Sequence, residues 1–177
     1  MICFDAHEIL KTMRGQKELY DLLEKLSINF EYHEHPPIAN IEAALIHWKD
    51  YNAGRCKNIF LRNHKGDKHY LVVIEHLAQL KVRDLEQRLK QGKLTFASDK
   101  RLNKYLGVQP GSVSPFGLIN DFPEKNVHLF IDVNLKKYER LAFHPNINTA
   151  TLVIRQSDFI SFLQHIDASY EYLQLYE

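Results

Sequence analysis

Leu19, Leu22, Leu23 and Leu26 recur at helical spacing with charged residues between them, so residues 16–27 are expected to form an amphipathic helix. Phe30 to His33 reads as a short strand stopped by His35-Pro36-Pro37, and Asn40 is placed to cap a following helix. Two apolar runs, Lys57–Arg62 and His69–Ile74, flank a polar turn around Lys65-Gly66-Asp67 and predict an antiparallel hairpin. Helices are expected over Val82–Leu89 and over Lys100–Leu106, the second ending at Gly107, with a short strand at Leu94–Phe96 between them. Val127–Val133 and Thr149–Ile154 read as strands, and Ser157–His165 as a helix capped by Ser157. Strands and helices mix without a regular βαβ rhythm. The pattern therefore predicts an α+β fold, a single domain with a mixed, largely antiparallel sheet flanked by helices.

Between Gly107 and Asn120, three glycines and two prolines punctuate fourteen residues that also carry apolar positions. This suits a rigid loop that presents backbone groups to a small ligand, or a tight connection between core elements.

Composition narrows the function classes. The 177 residues are 45% hydrophobic and 25% charged, which suits a globular domain. The formal charge is only +1, so any nucleic-acid contact must rest on a local basic patch. Cys3 and Cys56 make no CxxC, which fits a reducing cytosol. No basic-then-apolar leader or membrane-length apolar run occurs, so a cytoplasmic protein without a membrane partner is expected.

Candidate chemistry is sparse. Lys57, between Cys56 and Asn58, can present a point charge to a phosphate or carboxyl group from a strand mouth, or can simply be solvated. His144, in Phe143-His-Pro-Asn-Ile-Asn-Thr149, can hold an ester carbonyl, an amine or a ribose hydroxyl, unless the loop only caps itself. His33 and His35 share a strand face, but no third ligand has convincing spacing, so no metal is expected. Cys56 beside Lys57 is either a thiol of lowered pKa or a buried structural one. Gly111-Ser-Val-Ser-Pro115 departs from the GxSxG elbow, and neither GxGxxG nor a P-loop occurs, so no cofactor is expected.

Four segments together resemble the prolyl-tRNA editing family, which includes free-standing aminoacyl-tRNA deacylases and the editing insertion domain of bacterial prolyl-tRNA synthetases. They are the His35-Pro-Pro37 break, Cys56-Lys-Asn-Ile-Phe-Leu61, Gly107–Gly117 and Phe143-His-Pro-Asn-Ile-Asn-Thr-Ala-Thr151, in the family's order and spacing. The resemblance runs from about Gln16 to Gln164 and leaves 1–15 and 166–177 as terminal extensions of one deacylase domain, 1–177. It implies a trans-acting deacylase of alanyl-tRNA(Pro); the alternatives are an editor of Cys-, Ser- or Thr-tRNA and a non-catalytic tRNA-binding module. By resemblance Lys57, Gly111 and His144 are catalytic, and Asn58, Lys93, Ser112, Pro115 and Asn148 bind substrate. Lys93 stands where some relatives are expected to carry arginine. The implied partners are the 3′ end of tRNA(Pro) and prolyl-tRNA synthetase.

Overall fold

The computed structural model describes residues 13–37, 51–79 and 81–176. The helix expected after Asn40 lies outside the described residues. The Leu19–Leu26 pattern produces α1 (Lys17–Lys25), with Leu19 and Leu23 fully buried. It is followed by β1 (Phe30–Glu34), β2 (Gly54–Asn63), β3 (His69–Glu75), α2 (Val82–Leu89), β4 (Leu94–Phe96) and α3 (Asp99–Leu106). A 3-10 helix (Pro115–Asn120) leads to β5 (Val127–Asp132), then come a second 3-10 helix (Val133–Lys137), β6 (Arg140–Phe143), β7 (Ala150–Arg155), α4 (Gln156–His165) and β8 (Ser169–Leu173).

The strands form one mixed sheet in the order β1-β7-β6-β2-β3-β5-β8, with β4 also on β2. The expected hairpin is present: Cys56–Arg62 of β2 pairs antiparallel with His69–Glu75 of β3. β1–β7, β6–β7 and β2–β4 are also antiparallel, whereas β2–β6, β3–β5 and β5–β8 are parallel.

Alternation along the strands fills both faces. On one, Phe60, Leu71, Val73, Leu129, Ile131, Phe143 and Leu152 meet α1, α3, α4 and the first 3-10 helix. Phe116 centres this core, standing edge-on to Phe143, Phe159 and Phe162 with ring centroids 5.2–6.4 Å away. On the other face Ile59, Leu61, Val72, Ile74 and Phe130 pack beneath Leu85 and Leu89 of α2. Fully buried Leu175 completes this second core.

Three local expectations are refined. Residues 166–177, expected as an extension, contain β8, whose whole length pairs with β5. Buried Asp132 then accepts from Leu175 N at 2.9 Å, tying the tail to the domain. The cap of α4 is Arg155 rather than Ser157, because β7 runs straight into the helix. The carbonyl of Glu139 accepts from Gln156 N at 2.8 Å, so a helix-start N–H finds its partner in a neighbouring segment instead of a serine hydroxyl. The stretch expected as a rigid loop is half helical: Ser114 Oγ accepts from Phe116 N at 3.2 Å and Pro115 opens the 3-10 turn.

That 3-10 helix lies against the end of α3. A Cβ on Gly117 would stand 2.9 Å from the carbonyl oxygen of Leu106 and 3.0 Å from its Cβ, so only glycine allows this approach. Gly117→Ala is expected to destabilise the protein by about 1–3 kcal/mol through overpacking, read as a lower urea midpoint. An unchanged midpoint would show that the two helices separate freely.

Candidate active site

β2 is paired along one edge by β3 but on its other edge only at the ends. β6 pairs with Gly54 and Arg55, and β4 with Leu61–Asn63. Lys57 and Asn58 lie in the interval where the sheet divides. Strand alternation places Lys57 on the face of Arg55, Ile59 and Leu61, and Asn58 on the opposite face. Asn58 Nδ2 donates to the carbonyl of Val113 at 2.9 Å, so the glycine-rich loop is tied to the strand beside Lys57. Asn58 Oδ1 is buried without a hydrogen-bond partner among the described residues.

The loop begins where α3 ends in a left-handed Gly107. Ser112 N donates to the Gln109 carbonyl at 3.0 Å, closing a turn that contains Gly111 at φ +83°. A Cβ there would meet only Asn148 Nδ2, at an ordinary 3.6 Å. Glycine is therefore required for its backbone angle and not for space against the protein. The same distance shows that Asn148, from the loop after β6, borders Gly111. Ser112 and Ser114 are both buried, and no histidine hydrogen-bonds either hydroxyl among the described residues. Ser114 is a cap, and Pro115 fixes the turn behind it.

His144 follows β6. Its Nε2 is buried and has no hydrogen-bond partner among the described residues. Its ring lies 6.0 Å from that of His35. His35 Nδ1 is 2.9 Å from the Pro36 carbonyl, which can only accept, so Nδ1 carries a proton, and Nε2 is hydrogen-bonded to Thr151 Oγ1 at 3.0 Å. Burial, with a smaller contribution from His35, lowers the pKa of His144 to about 4. At neutral pH it is a neutral hydrogen-bonding group. Asn146, at φ +62°, donates from Nδ2 to Gln16 Oε1 at 2.8 Å and holds this loop against the start of α1.

The fold thus brings Asn58, Gly111, Ser112, Pro115 and Asn148, with the loop that carries His144, to one region, through the Asn58–Val113 bond and the Asn148–Gly111 contact, while Lys57 adjoins them along β2 with its side chain on the opposite face. Lys93 is not among them. It is exposed just before Leu94, which pairs with Asn63, six residues along β2 from Lys57 and so about 20 Å away. His33 faces Glu31 at 3.3 Å and stacks on Tyr51. Among the described residues no three His, Cys, Asp or Glu side chains converge to hold a metal. Cys56 is the buried structural thiol, with its pKa pushed up by burial. The sequence missed the part of His35 in shaping the surroundings of His144; its only signal was the His-Pro-Pro break.

Because His144 is held neutral, its ring protons should titrate in NMR with a midpoint near 4, against an ordinary 6.5. The sign follows: the unfolded chain takes up this proton first, so the contribution of His144 to stability is complete above about 6.5. It falls away as the pH drops through 4. A midpoint at or above 6 would contradict the burial of its free nitrogen.

Comparison with known proteins shows the family. The family described as the aminoacyl-tRNA editing domain matches residues 35–162, a span that holds every one of these site residues. The prolyl-tRNA editing protein ProX of Acetoanaerobium sticklandii is 38% identical over 149 residues, covering 82% of this chain and 88% of that protein. Prolyl-tRNA synthetase associated domain-containing protein 1 of Xenopus laevis is 31% identical over 153 residues, with coverage of 84% and 90%. A crystal structure of a candidate trans-editing enzyme for prolyl-tRNA synthetase superposes with a TM-score of 0.65 at 17% identity, covering 90% of this chain and 98% of that one, a likeness that speaks for the fold. With its sheet dividing at Lys57 and its glycine loop docked between Asn58 and Asn148, this chain belongs to the aminoacyl-tRNA editing domain family.

Proposed function

We propose that this chain hydrolyses mischarged alanyl-tRNA(Pro) in trans, as a proofreading step of translation in the cytoplasm. The observation that carries this reading is the meeting of three separate motifs: the Asn58–Val113 bond joins the Lys57 strand to the glycine loop, and Asn148 joins that loop to the segment of His144. The family supplies the aminoacyl-tRNA as substrate.

An aminoacyl ester is already activated, so the protein needs to hold it, admit a water and stabilise the charge that develops on the carbonyl oxygen. Lys57 clamps the phosphate of the terminal nucleotide and adds positive potential. The backbone N–H groups around Gly111 are the donors for the developing oxyanion. His144, neutral and with an unused Nε2, takes a hydrogen bond from the amino-acid end of the substrate. Ser112 and Ser114 do not form an acyl-enzyme, since neither has a base beside it.

The choice of alanine follows from selection by size. A synthetase pocket built for proline discriminates against a smaller side chain by only about 1–3 kcal/mol. A second site that admits alanine and excludes proline completes the selection. Prolyl-tRNA synthetase, whose errors it would correct, is the proposed partner.

Deacylation of tRNA(Pro) charged separately with alanine, cysteine, serine and proline tests the substrate. Alanine should be released fastest and proline retained; faster release of cysteine or serine would reassign the pocket. Lys57→Ala should lower kcat/KM by roughly 10²-fold, as expected for loss of an electrostatic stabiliser, with an unchanged melting temperature. Near-normal turnover by folded Lys57→Ala protein would remove Lys57 from the mechanism.

Gly111→Val should be comparably inactive, because a β-branched residue resists φ +83°. Ser112→Ala should retain most activity, and trapping of an acyl group on that serine would replace the water mechanism by a covalent one.

A further inference from the structure

A second site lies at the opposite end of β2, where the β2–β3 turn meets the start of α3. Arg101 Nη1 donates to the Gly66 carbonyl at 2.9 Å and to His69 Nε2 at 2.6 Å. Arg62 Nη1 donates to the carbonyls of Asn63 and His64 at 3.0 and 3.1 Å. A Cβ on Gly66 would stand 2.8 Å from Arg101 Nη2 and 3.7 Å from Arg62 Nη1, so both guanidinium groups converge on one point of the turn.

Neither arginine has a carboxylate ion-pair partner among the described residues. The acidic residues nearest in sequence do not supply one: Asp67 is held by Asn63 Nδ2 at 2.7 Å, and Asp99 lies in the first turn of α3. Lys65 and Lys104 are exposed beside them, and Lys93 reaches the same end of the sheet through the Leu94–Asn63 pairing. A chain of net charge +1 has thus collected five cations around one turn. The field is felt locally: burial, then Arg101, Lys104 and Arg62, against an opposing contribution from Asp67, lower the pKa of His69 to about 4, leaving it neutral and able to accept from Arg101.

Two guanidinium groups held together by carbonyl acceptors, neither in an ion pair among the described residues and with only the Asp67 carboxylate in the same turn against five cations, suit a divalent or polyanionic oxygen ligand. We propose that Arg62 and Arg101, with Lys65, Lys93 and Lys104 around them, form a phosphate-binding site for the RNA backbone where the acceptor stem begins. The assignment rests on the reading that the substrate is tRNA, and the spacing supports it. Arg62 shares a face of β2 with Asn58, four residues and about 14 Å away at roughly 3.4 Å per residue. A stacked strand advances about 3.4 Å per phosphate, so a 3′ end held at the glycine loop, which Asn58 ties to this strand, presents its fourth or so phosphate to this turn. The site would add affinity and register without reading bases.

The test is binding of a fluorescent, uncharged RNA hairpin that reproduces the acceptor stem and its 3′ single strand, by anisotropy over a salt titration. Arg101→Gln is expected to weaken binding fivefold or more and to lower the log–log salt slope by about 1. Because Arg101 also braces the turn, the double variant Lys65→Gln/Lys104→Gln, altered only at exposed side chains, should likewise weaken binding and should lower the salt slope by about 2, with an unchanged melting temperature. Lys136→Gln, the same single charge change as Arg101→Gln but outside the cluster, should not.

Unchanged affinity and slope in the double variant, or an equal loss with Lys136→Gln, would overturn the site. Hydrolysis separates this from the deacylase reading. The double variant should raise KM for alanyl-tRNA(Pro) while leaving turnover of a short alanyl-oligonucleotide without the stem unaltered. If the wild-type protein hydrolyses neither substrate, the deacylase reading fails while the anisotropy still decides the phosphate site.

Discussion

The arrangement of this protein depends on β2 having two different neighbours on one edge. A strand buried within a sheet must satisfy its backbone donors and acceptors on both sides. Here β3 serves one side throughout, while β6 and β4 serve only the ends of the other. The gap between them is filled by loop segments: the Ala97 N–H donates to Phe60 O, and the Asn58 side chain donates to Val113 O. A divided sheet thereby leaves room for the glycine loop and the histidine loop to meet beside Asn58 while the hydrophobic cores on either face remain closed.

The surroundings of that gap are held by neutral contacts rather than ion pairs. His144 is kept uncharged by burial, His35 is committed to Thr151 and Pro36, and Asn146 is fixed to Gln16. Asn58 Oδ1, His144 Nε2 and Asn146 Oδ1 are buried there without a hydrogen-bond partner among the described residues. Charge is concentrated instead at the far end of β2, where Arg62 and Arg101 converge on Gly66. The two ends of one strand therefore differ in chemistry, with neutral hydrogen-bonding groups at one and clustered cations at the other. α3 spans them, with Arg101 near its start and the glycine loop at its end.

Much of the local structure was legible in the sequence. Leu19, Leu22, Leu23 and Leu26 announced α1, the β2–β3 hairpin followed from its apolar runs and turn, and α2 and β4 fall at the predicted residues. Periodicity suffices for such elements because each buries its own stripe of side chains. Four linked motifs also pointed to the family before any geometry was known. β6 and β8 were not foreseen: one is four residues long, and the other is a partly exposed edge strand of five residues. Ser157 looked like a helix cap because its chemistry is right, but the strand runs into the helix and the carbonyl of Glu139 takes over.

The sequence by itself determined the α+β class, the main helices, the hairpin and the residues that belong to the family's motifs, because these depend on local pattern and on the order of motifs. Only the tertiary structure decided that β2 lies between β3 and a divided edge, that Gly111 borders Asn148, that His144 loses its charge by burial and that Arg62 and Arg101 converge. Each of these depends on residues far apart in the chain being brought within a few ångströms, and on the dielectric and hydrogen-bonding environment that results. Neither is encoded in the spacing of residues along the chain.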